Sequence, residues 1–106
     1  MPPTDQALDI EIHHEPDRTV VAFIGNGSNV YGDRIRDELG AIFAHLPEKV
    51  SVDLSRLTFI NSVLVGVLVE FWVRLQRTNA RLELYQAQGQ VLDVLKRCNV
   101  AELLRS

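Results

Sequence analysis

The stretch Phe59-Ile-Asn-Ser-Val-Leu-Val-Gly-Val-Leu68 marks the place where the hydrophobic pattern of the chain changes its period. Before it, from Val50 to Leu54, apolar and polar residues alternate, which is typical of a strand with one exposed face. After it, apolar and polar residues recur at helical spacing as far as Arg77. Asn61 and Ser62 are residue types that cap helix N-termini, so the sequence predicts a helix that begins at one of them.

The same change of period recurs along the chain and predicts the element order β-β-α-β-α-β-α. The predicted strands contain Leu8 to Ile12, Thr19 to Ile24, Val50 to Leu54 and Leu82 to Leu84, and the predicted helices begin near Asp33, Asn61 and Val91. Each strand–helix–strand step implies two parallel strands joined by a right-handed crossover. Because three of the strands alternate, one face of the sheet is expected to stay open. We therefore predict an α/β fold with a mixed sheet of four to five strands and helices mainly on one face.

Length and composition predict one domain. The chain has 106 residues, of which 46% are hydrophobic, and this is enough for one core but not for two. Residues 1–7 are polar and carry two prolines, so they are expected to form a flexible tail. Residues 8–106 then make up the single domain.

The charge of the chain argues against several classes of partner. The net charge is −3 and the pI is about 5.5, whereas nucleic-acid binding needs a basic surface. The longest apolar run, Val63 to Val69, is far shorter than the roughly 20 residues that span a bilayer. No basic segment followed by an apolar one opens the chain, and a single cysteine excludes an internal disulfide. We expect a cytoplasmic protein without membrane insertion, as a monomer or weak dimer.

A glycine-rich segment follows the second predicted strand and is made of Gly25, Asn26, Gly27, Ser28 and Asn29. A segment in this place can cradle a phosphate. Its spacing fits neither the dinucleotide-binding fingerprint nor the P-loop, and no Gly-Lys-Ser/Thr follows it. The favoured interpretation is an ordinary loop, and nucleotide binding is the weaker alternative.

The positions of the histidines and of Ser62 do not predict a catalytic or metal site. His13 and His14 are adjacent in a predicted strand, so their side chains point to opposite faces and cannot bind one metal. His45 is expected to stand alone near a helix end. Ser62 lacks the surroundings of an activated nucleophile. We therefore expect no metal, no cofactor and no enzymatic activity.

The helix that begins at Ser62 has an unusual polar face. Steps of three and four residues back from Glu70 reach Gly66 and Val67, and a further step reaches Val63. These small or apolar residues would extend the exposed face towards the Ser62 hydroxyl, and an exposed apolar patch indicates a docking surface. The opposite side is expected to be the core stripe, made of Leu64, Leu68, Phe71 and Leu75.

Three short segments carry a family resemblance: Val52-Asp53-Leu54-Ser55, Phe59-Ile60-Asn61-Ser62 and Gly66-Val67-Leu68. With them and the apolar residues that follow, the chain resembles a STAS domain of the anti-sigma factor antagonist type. The resemblance covers about residues 48–104 well, and the N-terminal half agrees in element order and apolar pattern only. It implies a STAS-like fold for residues 8–106.

The resemblance also implies a function. Ser62 takes the position of a serine that, in this family, is phosphorylated by a partner kinase that also acts as an anti-sigma factor. The implied partner-binding residues are Asn61, Ser62, Val63, Gly66 and Val67, together with the segment Gly25 to Asn29. The expected function is a partner switch controlled at Ser62.

Two departures from the family pattern lie beside Ser62. Asn61 replaces the family's Asp, and Val63-Leu64 replace a pair of small residues. The alternative function uses the same surface without phosphorylation, in an accessory subunit of a lipid-transport ABC complex or in a stressosome-type scaffold.

Overall fold

The computed structural model describes residues 8–27 and 32–105. The strands are β1 (Asp9–His14), β2 (Thr19–Gly27), β3 (Lys49–Asp53), β4 (Leu57–Ile60), β5 (Arg81–Tyr85) and β6 (Leu104–Arg105). The α-helices are α1 (Gly32–Gly40), α2 (Ser62–Arg77) and α3 (Gly89–Arg97). A short 3-10 helix, Ala41–His45, follows α1, and another, Ala101–Leu103, precedes β6.

The strands form one mixed sheet in the order β1-β2-β3-β5-β6, and β4 pairs with β2. The hairpin β1–β2 is antiparallel, with Ile12 opposite Val21, and the other pairs are parallel. The first part of β2 pairs with β3, and its last residues, Gly25 to Gly27, pair with β4. The end of β2 therefore lies beside the junction between β4 and α2.

One hydrophobic core lies between the sheet and the helices. The inward-facing residues of the central strands are fully buried, as Val52 and Phe23 show at 0% exposure. They form one cluster with residues from all three helices, among them Leu39 of α1, Leu68 of α2 and Leu95 of α3. The predicted core stripe of α2 is buried, and so the prediction of helices mainly on one face is confirmed.

The α/β prediction is confirmed, but the sheet has six strands rather than four or five. The additional strands are β4 and β6, of four and two residues. The predicted tail, residues 1–7, lies outside the described residues.

The glycine-rich segment is not a loop over its first three residues. Gly25, Asn26 and Gly27 continue β2, while Ser28 and Asn29 lie outside the described residues. A side chain at Gly27 would have its Cβ 2.7 Å from the Phe59 carbonyl oxygen and 3.0 Å from the Leu64 side chain. The close approach of β2 to β4 therefore requires glycine here, and this accounts for Gly27 without any ligand.

Candidate functional site

Asn61 caps helix α2. Its backbone is extended, with φ −115° and ψ 177°, and its side-chain oxygen accepts a hydrogen bond from the Leu64 N–H at 3.0 Å. Its carbonyl oxygen accepts the first helical hydrogen bond, from the Val65 N–H at 3.1 Å. The side chain of Asn61, rather than that of Ser62, therefore satisfies one of the free backbone donors at this helix end.

Capping by Asn61 leaves the hydroxyl of Ser62 available. Ser62 is the first residue of α2 and is exposed, and its hydroxyl makes no hydrogen bond to any described residue. The first turn of α2 contains no acidic side chain, and Arg74 and Arg77 lie in the last turn. A helix N-terminus carries a partial positive charge, so an anion on the Ser62 oxygen would meet the favourable end of the helix dipole.

Helix α3 holds the residue that precedes this cap. The side-chain oxygen of Gln90 accepts a hydrogen bond from the Ile60 N–H at 3.0 Å, and its amide group donates one to the Ile60 carbonyl at 2.9 Å. Gln90 thus binds the end of β4 as a neighbouring strand would. The backbone that enters Asn61 is fixed by β2 on one side and by Gln90 on the other.

Two exposed apolar side chains lie close to Ser62 in the sequence. Val63 is 44% exposed, and Phe59, on β4 just before the cap, is 38% exposed. A Cβ at Gly66 would meet nothing within 4 Å, so the fold itself does not require a glycine there. Phe59, Ser62, Val63 and Gly66 are called the α2 docking surface below. Exposed apolar side chains of this kind are available for contact with another protein.

Phe59 was not among the predicted partner-binding residues. The burial of β4 runs buried, exposed, exposed, buried, so the strand shows no alternation from which its exposed side could be read. The only signal was its place two residues before Asn61.

The prediction that Val67 lies on the exposed face is wrong. Val67 is 1% exposed and lines the contact between α1 and α2 together with Leu39. Helix α2 packs on the sheet with one side and on α1 with another, so its buried arc is wider than the single stripe that the sequence predicts. Val67 therefore belongs to the core and is not an exposed docking residue.

The predicted glycine-rich part of the site lies beside it but forms a strand. Asn26 pairs with Phe59 and Gly27 with Ile60, so the end of β2 adjoins the docking surface. Gly25 and Asn26 are half-buried, and Gly27 is buried. Gly27 thus presents no surface to a partner. Its backbone pairs with β4 as part of a strand, so it does not form a loop that could cradle a phosphate.

Two of the histidines contact each other. The rings of His14 and His45 stack with their centroids 3.5 Å apart, so His45 does not stand alone as predicted. Within residues 8–27 and 32–105, no three His, Cys, Asp or Glu side chains group in a way that could hold a metal ion. Among the same residues, no helix has both the length and the apolar character needed to cross a membrane.

Comparison with solved structures finds proteins with the same fold. An anti-sigma factor antagonist from Mycobacterium paratuberculosis superposes with a TM-score of 0.81 at 16% identity, over 95% of this chain and 86% of that one. The anti-sigma factor antagonist SpoIIAA in its unphosphorylated form gives 0.80 at 20% identity, over 93% and 86%. The Bacillus SpoIIAA in its phosphorylated form gives 0.73 at 19% identity, over 93% and 89%.

A membrane protein also contains this fold. The murine anion transporter Slc26a9 superposes with a TM-score of 0.67 at 14% identity, over 85% of this chain but only 15% of the transporter. No curated protein sequence matches the chain. A scan against protein families matches residues 9–105 to the STAS domain. The match covers almost the whole domain described here, and the chain belongs to the STAS domain family.

Proposed function

We propose that this STAS domain is a non-enzymatic regulatory module of the cytoplasm, an anti-sigma factor antagonist that binds an anti-sigma factor or serine kinase-type protein and is switched at Ser62. The observation that carries the proposal is the exposed Ser62 hydroxyl at the N-terminus of α2, which bonds to none of the described residues while Asn61 supplies the cap. The likeness to SpoIIAA, which was solved with and without phosphate, supports the same assignment.

The arrangement around Ser62 suits a switch that acts without unfolding the domain. A phosphate on Ser62 would carry about −1.5 to −2 charges and would be stabilised by the N-terminal dipole of α2. The same charge would stand on the docking surface that contains Phe59 and Val63, which are exposed and apolar. A partner that covers these side chains would have to desolvate the phosphate, at a cost of several kcal/mol. Phosphorylation would therefore release the partner and leave the domain folded.

Gly66 adds an independent argument for close contact with a partner. A glycine inside a helix is about 1 kcal/mol less favourable than alanine, and no neighbour prevents a side chain at this position. Glycine thus makes α2 less stable without serving its packing. A partner backbone that approaches α2 closely, one turn after Ser62, would account for the glycine.

The first test uses Ser62 variants in the native organism. Tagged wild-type protein and Ser62→Ala should capture a kinase-type ATPase, whereas Ser62→Asp should not, because the carboxylate imitates part of the phosphate charge. Ser55→Asp is the matched control, since Ser55 is also exposed but lies in the turn before β4. With the captured kinase and ATP, intact-mass measurement should show one phosphate on the wild-type chain and none on Ser62→Ala. Capture of the same ATPase by Ser62→Asp would contradict the switch.

The second test concerns Asn61. Aspartate caps helices about as well as asparagine, so Asn61→Asp should keep the start of α2 intact. A carboxylate here could orient the serine or a metal ion during phosphoryl transfer, and transfer depends strongly on such positioning. We expect Asn61→Asp to be phosphorylated faster than the wild type in a kinase assay followed by intact mass. Slower phosphorylation of Asn61→Asp would show that charge repulsion outweighs positioning.

A second candidate function uses the same surface without phosphorylation. The occurrence of this fold within the Slc26a9 transporter, and Asn61 in place of the family's Asp, favour it. The chain would then serve as an accessory subunit of a lipid-transport ABC complex or as a stressosome-type scaffold. Capture of a transporter ATPase, with no phosphate on Ser62 in either Asn61 form, would select this alternative.

A further inference from the structure

A concave surface, separate from the α2 docking surface, lies between α1 and α2. It is a groove with a volume of about 450 Å³, and it is lined mainly by apolar side chains. Leu39 and Phe71 are buried at its base, Val73 is 40% exposed at its edge, and Arg36 and Arg74 lie at its rim. Its volume falls within the range of about 300–1,000 Å³ that small-molecule sites occupy. These residues are called the α1–α2 groove below.

The two arginines of the groove differ in their pairing. The Arg36 guanidinium lies 2.7 Å from a Glu70 carboxylate oxygen and 3.2 Å from one of Asp33. Arg74 lies over the ring of Phe43, 4.3 Å from its centroid, and pairs with no carboxylate among the described residues. The groove therefore combines an apolar lining with one uncompensated guanidinium.

Gly40 gives the groove additional room. Its backbone is ordinary right-handed helix, with φ −61° and ψ −33°, so the conformation does not require glycine. A Cβ built there would stand 3.7 Å from an Arg74 guanidinium nitrogen, which is ordinary contact. The absence of a side chain thus leaves space beside Arg74 that the packing of α1 does not need.

We propose that the α1–α2 groove binds a free medium-chain monocarboxylate. The alkyl chain would lie on Val69 and Val73, above the buried side chains of Leu39 and Phe71. Both carboxylate oxygens would bind the guanidinium of Arg74, whose two parallel N–H groups match carboxylate geometry. One free guanidinium balances one negative charge, which favours a monoanion over a phosphate dianion. Glu70 also lines the groove but is paired with Arg36, so Arg74 is the charge of the lining that has no ionic partner among the described residues. The fully exposed Asp33 beside the groove would repel an anionic membrane surface, so the proposed occupant is the free acid anion.

The test is titration of the full chain with hexanoate, octanoate and decanoate, below micelle-forming concentrations, by calorimetry and amide NMR. Burial of each methylene should strengthen binding, by about tenfold for every two methylenes added. The shifted amides should cluster at residues 36–40 and 67–74, which form the groove.

Two variants locate the site. Arg74→Glu should weaken decanoate binding at least tenfold, while Arg77→Glu should leave it unchanged, because Arg77 undergoes the same charge change outside the groove lining. Gly40→Leu should abolish binding by filling the groove and should melt no lower than the wild type, since leucine is the better helix former. These changes leave Ser62 and the α2 docking surface untouched, so failure here is distinct from failure of the partner switch.

Several outcomes would overturn the proposal. If Arg74→Glu and Arg77→Glu lost the same decanoate affinity, the ligand would be attracted by the general charge of the chain and not by Arg74. If decyltrimethylammonium bound as tightly as decanoate, the binding would be apolar adsorption without recognition of the carboxylate. Binding to anionic phospholipid vesicles but not to decanoate would assign the groove to a membrane surface. Amide shifts confined to residues 59–66 would move the ligand to the docking surface.

Discussion

At the scale of single residues, Val63 and Val67 lie one turn apart on α2 but have opposite surroundings. Val63 is 44% exposed on the docking surface, and Val67 is 1% exposed in the core. We expect Val63→Glu to change the free energy of unfolding by no more than about 0.5 kcal/mol and to abolish partner capture. Val67→Glu should cost several kcal/mol, because it buries a carboxylate without a partner. Thermal melts and capture assays on both variants are the measurement, and similar melting temperatures would refute this assignment.

Val67 also shows where residue-level prediction fails. The exposed positions of Val63 and Gly66 were predicted correctly by steps of three and four from Glu70. The same steps misplaced Val67, because Glu70 and Arg74 mark the rim of the contact with α1 rather than the middle of the exposed face. Long charged side chains can lie along an apolar contact while their charged ends stay in water. Only the position of α1, a tertiary feature, shows whether a charged residue marks the exposed face of α2 or the rim of a buried contact.

At the scale of elements, α3 holds the end of β4 through one side chain, that of Gln90. Gln90→Ala removes two hydrogen bonds and leaves the backbone of the buried Ile60 without these partners. We expect a loss of about 2 kcal/mol in the free energy of unfolding, measured by urea titration. Gln88→Ala is the matched control, since Gln88 is exposed and makes a single long hydrogen bond of 3.4 Å to the Ser55 carbonyl. A loss equal to that of Gln88→Ala would show that Gln90 does not hold β4.

The long elements were predictable, and the short ones were not. The helix α2 and the strands β1, β3 and β5 carry periodic patterns, and β2 begins with a continuous apolar run, so local propensity agrees with the fold in each of them. The strand β4 has four residues without alternation, and β6 has two. These strands exist because β2 and β5, remote in sequence, offer them free edges. For the same reason, the continuation of β2 through Gly27 could not be seen before its pairing with β4 was known.

At the scale of the whole molecule, one buried carboxylate links three strands on the side of the sheet away from the helices. Glu83 of β5 accepts a hydrogen bond from the Tyr85 hydroxyl at 2.6 Å and lies 3.7 Å from Lys49 of β3 and 3.6 Å from Arg105 of β6. The Tyr85 hydrogen bond, followed by Lys49 and Arg105, lowers the pKa of Glu83 against the opposing effect of its burial. The side chain is only 11% exposed, so solvent screens these interactions weakly.

This network predicts how the stability of the fold depends on pH. Because the pKa of Glu83 is lower in the folded chain than in the unfolded one, its contribution is complete above the unfolded value of about 4.3 and is lost as the pH falls through the folded value. Glu83→Gln cannot titrate, so its deficit relative to the wild type should be largest near neutral pH and should shrink on acidification. Tyr85→Phe removes the strongest cause of the lowered pKa and should weaken this pH dependence while keeping the carboxylate. Urea unfolding of the three proteins between about pH 6 and pH 3 measures the effect. If the wild type and Glu83→Gln lost stability in parallel over that range, the acid sensitivity of the fold would have to come from carboxylates other than Glu83.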